Sequence, residues 1–230
     1  MFMLLPVTLY YFSLVLSLES AASGIVSGSI IIFGFLFLFS LFFGRLFCGW
    51  ICPAGGEQEL IMLVRRKAVN RKRINWIKWI IWVPWITALA LFVLQAGGVK
   101  NIDFLYQTRS GISVTDMPGL IAFLSVVFLF FILAVTIGKR AGCHTICWMA
   151  PFMIIGRSLR NIFTWPSLRL AAVNENCVSC GKCTKSCPMS IAAMEKVREN
   201  HMESRDCILC GSCVDTCPKK VIRYTFSSGF

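Results

Sequence analysis

The sequence predicts an all-α membrane domain followed by a small α+β domain. Two observations support this division: hydrophobic residues make up 57% of the 230 positions, and most of the twelve cysteines lie near the C-terminal end. A hydrophobic content this high is typical of membrane proteins and excludes an ordinary soluble globular chain. We expect the membrane domain to span residues 1–170 and the second domain to span residues 171–230.

Four long apolar runs predict four transmembrane helices. A helix needs about 20 apolar residues to cross about 30 Å of hydrocarbon. Ser20-Ala21-Ala22 resembles a signal-peptide cleavage site, but no basic residue precedes the first run, so we expect a retained helix. The runs, which are uncharged or nearly so, are Met1–Leu18, Ile25–Phe43, Trp76–Gly97 and Met117–Gly138.

The net charge of +12 is distributed unevenly between the predicted loops. Basic residues concentrate on one side of the membrane, which is the positive-inside pattern. It predicts a multi-pass protein of a prokaryotic cytoplasmic membrane with both termini in the cytoplasm, and it explains the charge without a nucleic-acid partner. The basic residues are Arg45, Arg65, Arg66, Lys67, Arg71, Lys72, Arg73 and Lys78, then Lys139, Arg140, Arg157 and Arg160 after the fourth run, against only Lys100 and Arg109 in the opposite loop.

The C-terminal cysteines form two copies of one motif. Cys177–Pro188 and Cys207–Pro218 each have the spacing C-x2-C-x2-C-x3-C-P. This spacing is typical of ferredoxins with two [4Fe-4S] clusters, in which the fourth cysteine of each copy binds the other cluster. The predicted ligands are Cys177, Cys180, Cys183 and Cys217 for one cluster, and Cys187, Cys207, Cys210 and Cys213 for the other. The alternative is a pair of four-cysteine zinc sites, which the double spacing with its following prolines disfavours.

The remaining cysteines form a second repeat. Arg45-x2-Cys48-x3-Cys52 recurs 95 positions later as Arg140-x2-Cys143-x3-Cys147, each time after the second helix of a predicted hairpin. Both hairpins run in the same sense, so we expect a parallel repeat about an axis along the membrane normal. Residues four apart share one face of a helix, so the two pairs are candidates to bind a third iron–sulfur cluster at the cytoplasmic membrane edge. The alternative is that the four are buried apolar cysteines.

Other residues near these motifs have two interpretations each. His144 is either a further iron ligand or a residue beside the ligands, and His201 is expected in an exposed loop. Arg45 and Arg140 are either positive-inside anchors or compensators of a negatively charged cluster. The tryptophans at Trp76, Trp79, Trp82 and Trp85 predict an interfacial belt, with a stacking platform for a quinone or flavin as the alternative.

Two segments outside the four runs are also predicted to be helical. Gly55–Val69 predicts a cytoplasmic helix with a basic end. Phe152–Phe163 predicts an amphipathic helix on the inner membrane face, with Arg157 and Arg160 on its polar side. The loop Gly98–Asp116 is expected to be a connector or a docking surface.

The chain resembles the membrane polyferredoxins that include the quinol-dehydrogenase component of periplasmic nitrate reductase systems and the electron donors of nitrous oxide reduction. Cys48-Gly49-Trp50-Ile51-Cys52-Pro53 matches the family motif closely. The second motif departs from it, since Trp148 follows Cys147 and the proline is delayed to Pro151.

The resemblance implies single-electron transfer between a cytoplasmic donor or acceptor and a membrane quinone or an extracytoplasmic flavoprotein, within a hetero-oligomeric membrane complex. The sequence offers no catalytic residues for group transfer, so we expect an electron-transfer subunit rather than a stand-alone enzyme. Two alternatives are an assembly factor that reduces a metal or cysteine in a partner, and a subunit of an ion-translocating complex. The latter normally needs ionisable groups within the membrane, which these helices hardly offer.

Overall fold

A computed structural model describes residues 5–70, 74–108 and 111–228. Arg71, Lys72, Arg73 and Arg109 of the charge pattern lie outside the described residues, as do Met1 and its three successors in the first predicted run.

The predicted helix over Met1–Leu18 is wrong as a single element. The segment forms helix α1 (Leu5–Thr8), a 3-10 turn (Tyr10–Phe12) and helix α2 (Leu14–Ala22). Ser13 has an extended backbone, and its hydroxyl accepts a hydrogen bond from the Leu16 N–H at 3.2 Å. A serine in this position caps a new helix instead of continuing the old one, so the apolar run is divided.

The rest of the N-terminal domain contains two similar series of three helices. Each series is a long apolar helix, a short helix with the first cysteine of a pair, and a following helix; the second cysteine, Cys52 or Cys147, lies after the short helix ends and not on it as predicted. The first series is α3 (Gly28–Phe43), α4 (Leu46–Trp50) and α5 (Pro53–Met62). After helix α6 (Ile77–Gln95), the second series is α7 (Met117–Thr136), α8 (Ala141–Thr145) and α9 (Met149–Phe163). Strand β1 (Ile25–Ser27), directly before α3, pairs in parallel with β2 (Asn101–Asp103), which follows α6.

Two of the described helices are long and apolar enough to cross a membrane, α6 and α7. Only 11% and 17% of their most apolar stretches are buried inside the protein. Helix α3 is apolar but has only 16 residues, and α1 and α2 are shorter still. Four membrane-spanning helices are therefore not confirmed.

The two series exchange their last helices. Helix α9 packs against α3 of the first series, and α5 packs against α7 of the second. The α3–α9 contact is close, because a Cβ atom on Gly156 would lie 1.9 Å from Ser40 Oγ. Helix α2, which precedes α3, packs against α6, which precedes α7. The two helices that precede the long apolar helices therefore contact each other.

The two additional helices differ from their predictions. The helix predicted at Gly55–Val69 is α5, which ends at Met62, and the chain to Val69 is not helical. The helix predicted at Phe152–Phe163 is present as α9, but Arg157 and Arg160 are fully buried. Its polar face is covered by the C-terminal segment rather than by water.

The C-terminal segment has the small α+β form that the sequence predicts. Strand β3 (Ser167–Ala172) pairs antiparallel with β4 (Ile222–Ser227). Between them lie a 3-10 turn (Asn174–Asn176) and the helices α10 (Lys182–Ser186), α11 (Ala193–Arg198) and α12 (Ser212–Asp215). Strand β3 begins three residues before the boundary at residue 170, which stays a prediction.

Candidate iron–sulfur sites

The four cysteines predicted for one cluster line a single small cavity: Cys177, Cys180, Cys183 and Cys217. Val197 and Ile222 provide apolar walls and are almost fully buried. Cys183 is buried, whereas Cys180 is exposed. We call this cavity the outer site, because one of its cysteines reaches the protein surface.

The four cysteines predicted for the other cluster line a second small cavity: Cys187, Cys207, Cys210 and Cys213. Met189 and Ile208 lie in its wall and also belong to the buried core of the N-terminal domain. We call this cavity the inner site, because it packs against that core.

The two sites are built by the same backbone path. Left-handed residues occur at matching positions 30 apart, where the chain must turn sharply around each cavity. Glycine takes this conformation without steric cost, which explains its presence directly before helices α10 and α12. The matching pairs are Ser179 and Leu209 (φ 51° and 52°), Gly181 and Gly211 (70° and 82°), and Ser190 and Lys220 (52° and 49°).

The donor set and the cavities fit an iron–sulfur cube. A single zinc ion draws its thiolates to about 2.3 Å, whereas a cube holds four thiolates around a group of several atoms. Among the described residues, no three His, Cys, Asp or Glu side chains converge on one ion position. The four cysteines of each set instead surround one small cavity with apolar walls.

The cysteine pairs of the 95-residue repeat have the same local backbone. The Cys52 N–H donates to the Phe47 carbonyl at 2.9 Å, and the Cys147 N–H donates to the Gly142 carbonyl at 3.0 Å. Each donor and each acceptor is 95 positions from its counterpart, so the repeat seen in the sequence is also a repeat of structure.

The structure brings the two cysteine pairs together. Cys48, Cys52, Cys143 and Cys147 are all buried in one core, and we call them the paired site. Burial raises the pKa of the Cys52 thiol well above its ordinary value, and the charges of the other three cysteines raise it further. Four mutually close thiols in an apolar core are the donor set that a cluster requires, and metal binding would release their protons.

Two buried arginines lie beside the paired site. Arg45 Nη2 lies 4.0 Å from Cys48 Sγ, and Arg45 Nη1 lies 3.8 Å from an Asp206 carboxylate oxygen. Burial alone would lower the pKa of Arg45, but the charges of Cys48 and Asp206 raise it above its ordinary value. Arg140 Nη1 donates to the Cys48 carbonyl at 2.7 Å, and its other terminal nitrogen contacts Glu59. Full burial beside thiols favours charge compensation over anchoring at the membrane surface.

Helix α4 connects the paired site to the inner site. A Cβ atom on Gly49 would lie 2.4 Å from the Ile208 carbonyl and 3.3 Å from Cys210 Cα. The neighbouring Trp50 Nε1 donates to the Leu209 carbonyl at 2.9 Å. The backbone that carries Cys48 and Cys52 is therefore in direct contact with the loop that carries Cys207 and Cys210.

The C-terminal domain is also held by the polar face of α9. Arg157 contacts Glu203 through two nitrogens, and Arg160 Nη2 lies 3.5 Å from the same carboxylate. Burial alone would raise the pKa of Glu203, but the charges of Arg157 and Arg160 lower it to about 2. Sequence reasoning missed Glu203 and Asp206, because nothing in the local pattern links them to arginines some 40 and 160 positions away.

The histidines and tryptophans lie near the sites without belonging to the ligand sets. His144 is buried, with Nδ1 2.8 Å from Asn75 Oδ1, and His201 is half-buried. Trp82 and Trp85 pack edge-on against Phe152, so this part of the tryptophan row is ordinary aromatic packing.

An apolar cavity of about 250 Å³ lies against the paired site. Cys52 and Cys147 both contribute to its wall, together with Phe130 and Trp148. The remaining wall consists of Leu9, Tyr10, residues 12–15, residues 53–54 after Cys52, Met149, and the α7 residues Ala122 and Val126.

Two family models match the chain. A 4Fe-4S binding domain matches residues 28–72, which include Cys48 and Cys52. A 4Fe-4S dicluster domain matches residues 170–218, which include all cysteines of the outer and inner sites. No solved structure matches.

Several curated proteins are similar over about 70% of the chain. The methylamine utilization ferredoxin-type protein MauN of Methylobacillus flagellatus is 28% identical, over 70% of this chain and 53% of its own length. The putative electron transport protein YccM of Escherichia coli is 25% identical, over 71% of this chain and 47% of its own. An uncharacterized protein of Methanocaldococcus jannaschii is 26% identical, over 69% and 64%. The matched region spans about half to two thirds of these relatives. The matches and the relatives support an iron–sulfur electron-transfer function for this chain.

Proposed function

We propose that the chain is a membrane-bound relay for single electrons, with [4Fe-4S] clusters in the outer and inner sites and a third iron–sulfur cluster in the paired site. The observation that carries this proposal is the grouping of all twelve cysteines into three sets of four. Single-electron transfer is the chemistry that such clusters supply when bound.

The three sites follow one another from the protein surface to the membrane domain. Cys180 of the outer site is exposed, so this site is suited to a soluble electron donor or acceptor. The inner site shares helices α10 and α12 with the outer site, and its loop contacts Gly49 beside the paired site. The order supports exchange with a cytoplasmic partner at the outer site and with a membrane partner near the paired site.

A membrane quinone fits the apolar cavity beside Cys52 and Cys147. Its wall is almost entirely apolar, and its volume of about 250 Å³ lies just below the range for small-molecule pockets. An extracytoplasmic flavoprotein would have no such access to the paired site, so the cavity favours the quinone among the two membrane-side partners. A hetero-oligomeric complex would supply the soluble partner.

Membrane insertion is supported by two features. Helices α6 and α7 expose most of their apolar surface, including Leu94 at 74% and Phe128 at 64%. Exposed apolar surface on this scale is rare in soluble monomers. The basic residues near α4, α5 and α8 then favour a cytoplasmic location for all three sites and for both termini.

Iron and acid-labile sulfide, measured on the purified protein together with electron paramagnetic resonance of the reduced form, test the clusters. We expect iron for three cubes in the wild type and for two in a variant carrying Cys48→Ser and Cys143→Ser. Iron for two cubes in both proteins would reject the third cluster and leave the ferredoxin clusters standing.

The quinone partner has a separate test. We expect a short-chain quinol to reduce the clusters of the wild type and to fail when Ala122→Trp fills the cavity, whereas dithionite reduces both proteins. Leu94→Trp on the exposed face of α6 is the matched control. Equal reduction by quinol in the Ala122→Trp and control variants would reject the cavity as the quinone site.

A further inference from the structure

Gln58 on α5 contacts the paired site from the other half of the repeat. Its Nε2 donates to Cys143 Sγ at 3.3 Å, and its Oε1 accepts from the Gly142 N–H at 2.9 Å. The side chain is fully buried. Since the Gly142 N–H engages the oxygen, the orientation of the amide is fixed and its N–H₂ group faces the Cys143 sulfur.

The position equivalent to Gln58, 95 residues later, is Met153 on α9. Met153 is also fully buried, and its Sδ lies 3.8 Å from Cys48 Sγ. Cys48 and Cys143 are themselves equivalent. Each series of helices therefore places one side chain against the first cysteine of the other series, which follows from the exchange of α5 and α9.

The two contacts differ in one chemical property. An amide N–H donates a hydrogen bond to a thiolate, whereas a thioether has no proton to donate. Addition of an electron makes a thiolate-bound cluster more negative, and a hydrogen bond to a more negative acceptor is stronger. A donor to a ligand sulfur therefore favours the reduced form, which is one of the ways in which proteins set cluster potentials.

We propose that Gln58 sets the reduction potential of the paired site: its amide raises the potential through Cys143, whereas the equivalent Met153 gives Cys48 no amide donor, and the Cys48 sulfur has Arg45 Nη2 at 4.0 Å instead. The inference rests on the proposed third cluster. Gln58 is then a positioning residue, because it acts on the cluster through Cys143.

Exchanging the two residues tests the proposal. Gln58→Met places a methionine in both halves and removes the amide donor to Cys143, while Arg45 stays beside Cys48. We expect about a tenfold lower reduced-to-oxidised ratio at a fixed ambient potential, a fall of about 59 mV for one electron. Met153→Gln adds a second donor and should shift the potential of the same cluster upwards. The double variant Gln58→Met with Met153→Gln moves the donor to Cys48 and should return the potential toward that of the wild type.

A redox titration followed by electron paramagnetic resonance measures these shifts in the intact protein. The signals of the outer and inner sites serve as internal references that should not move. Unchanged potentials of the paired-site signal in both single variants would overturn the role of Gln58 while leaving the third cluster intact. Absence of a third signal in the wild type would instead reject the proposed cluster itself. If one single variant fails to fold, the other still gives a shift of predicted sign.

Discussion

Among the residues that the structure describes, the largest fully buried side chains are arginines: Arg45, Arg140, Arg157 and Arg160. A buried charge costs several kcal/mol unless it is paired. The carboxylate partners of these arginines belong to the C-terminal segment or to the other half of the repeat. The arginines therefore connect the parts of the molecule, and the stability of those connections should depend on their partners.

The Glu203–arginine contact predicts a pH dependence of stability. The pKa of Glu203 is lowered from 4.5 to about 2, because the attraction of Arg157 and Arg160 outweighs the burial that would raise it. A carboxyl with a lowered folded-state pKa stabilises the fold fully above about pH 5, and the contribution is lost as the pH falls towards 2. A shift of this size corresponds to about 3 kcal/mol.

Glu203→Gln should therefore destabilise the protein by about 3 kcal/mol at pH 7, and the difference from the wild type should shrink by about 1 kcal/mol at pH 4. Chemical unfolding in detergent at the two pH values measures both quantities. Glu199→Gln, which changes an exposed pair with Lys196, is the control and should have almost no effect. A Glu203→Gln difference that grows as the pH falls would contradict the assignment.

Arg45→Gln should destabilise the fold by about 3 kcal/mol, because it leaves the buried Asp206 without its nearest arginine. The loss stays at the lower end of the range for broken buried pairs, since Lys78 Nζ remains 3.7 Å from the same carboxylate. Adding Asp206→Asn to this variant removes the carboxylate that Arg45 contacts, so the double variant should lose less stability than the sum of the losses in the two single variants. Thermal unfolding of the two single variants and the double variant measures these losses, and strictly additive losses would contradict a direct pair.

At the level of elements, the sequence predicted what is local and missed what is remote. The cysteine spacing is local, so the cavities of the outer and inner sites could be predicted from it. The sequence did not predict that the first apolar run is divided into separate helices. The cap is a hydrogen bond from the Leu16 N–H to the Ser13 hydroxyl, and a single serine does not interrupt the apolar pattern of the run. The burial of Arg157 was missed because the segment that covers α9 arrives 46 residues later.

The repeat explains one difference between its own halves. Gly49 in α4 corresponds, 95 positions later, to His144 in α8. The backbone of the inner-site loop approaches α4 closely at Gly49, so α4 requires a residue without a side chain at this position. His144 instead contacts Asn75. The glycine therefore marks the half of the repeat on which the ferredoxin domain docks.

Gly49→Ala should weaken the docking of the inner-site loop on α4. The added Cβ atom would lie 2.4 Å from the Ile208 carbonyl, and backbone on both sides resists movement. We expect a loss of about 1–3 kcal/mol, as for overpacked cores, together with faster removal of inner-site iron by a chelator. Gly34→Ala is the matched control, since a Cβ there meets nothing within 4 Å. Equal behaviour of the two variants would show that the close approach is not needed.

At the scale of the whole molecule, the three sites lie in a fixed order that the cysteine pattern alone did not reveal. The ligand sets of the outer and inner sites are symmetric in sequence, so their spacing cannot say which of them faces the N-terminal helices. The order depends on long-range contacts, in which Met189 and Ile208 join the core of the N-terminal helices while Cys180 stays exposed.

This order predicts that the inner site is the only connection between the outer and paired sites. Cys210→Ser should remove the inner-site cluster, after which a soluble reduced protein donor would reduce only the outer site and a short-chain quinol only the paired site. Freeze-quenched samples examined by electron paramagnetic resonance separate the two populations, with the wild type showing reduction of all sites from either side. Retention of the outer-site signal verifies that the C-terminal domain is still folded. Reduction of the paired site by the soluble donor in this variant would require a second route, and the linear order would then be wrong.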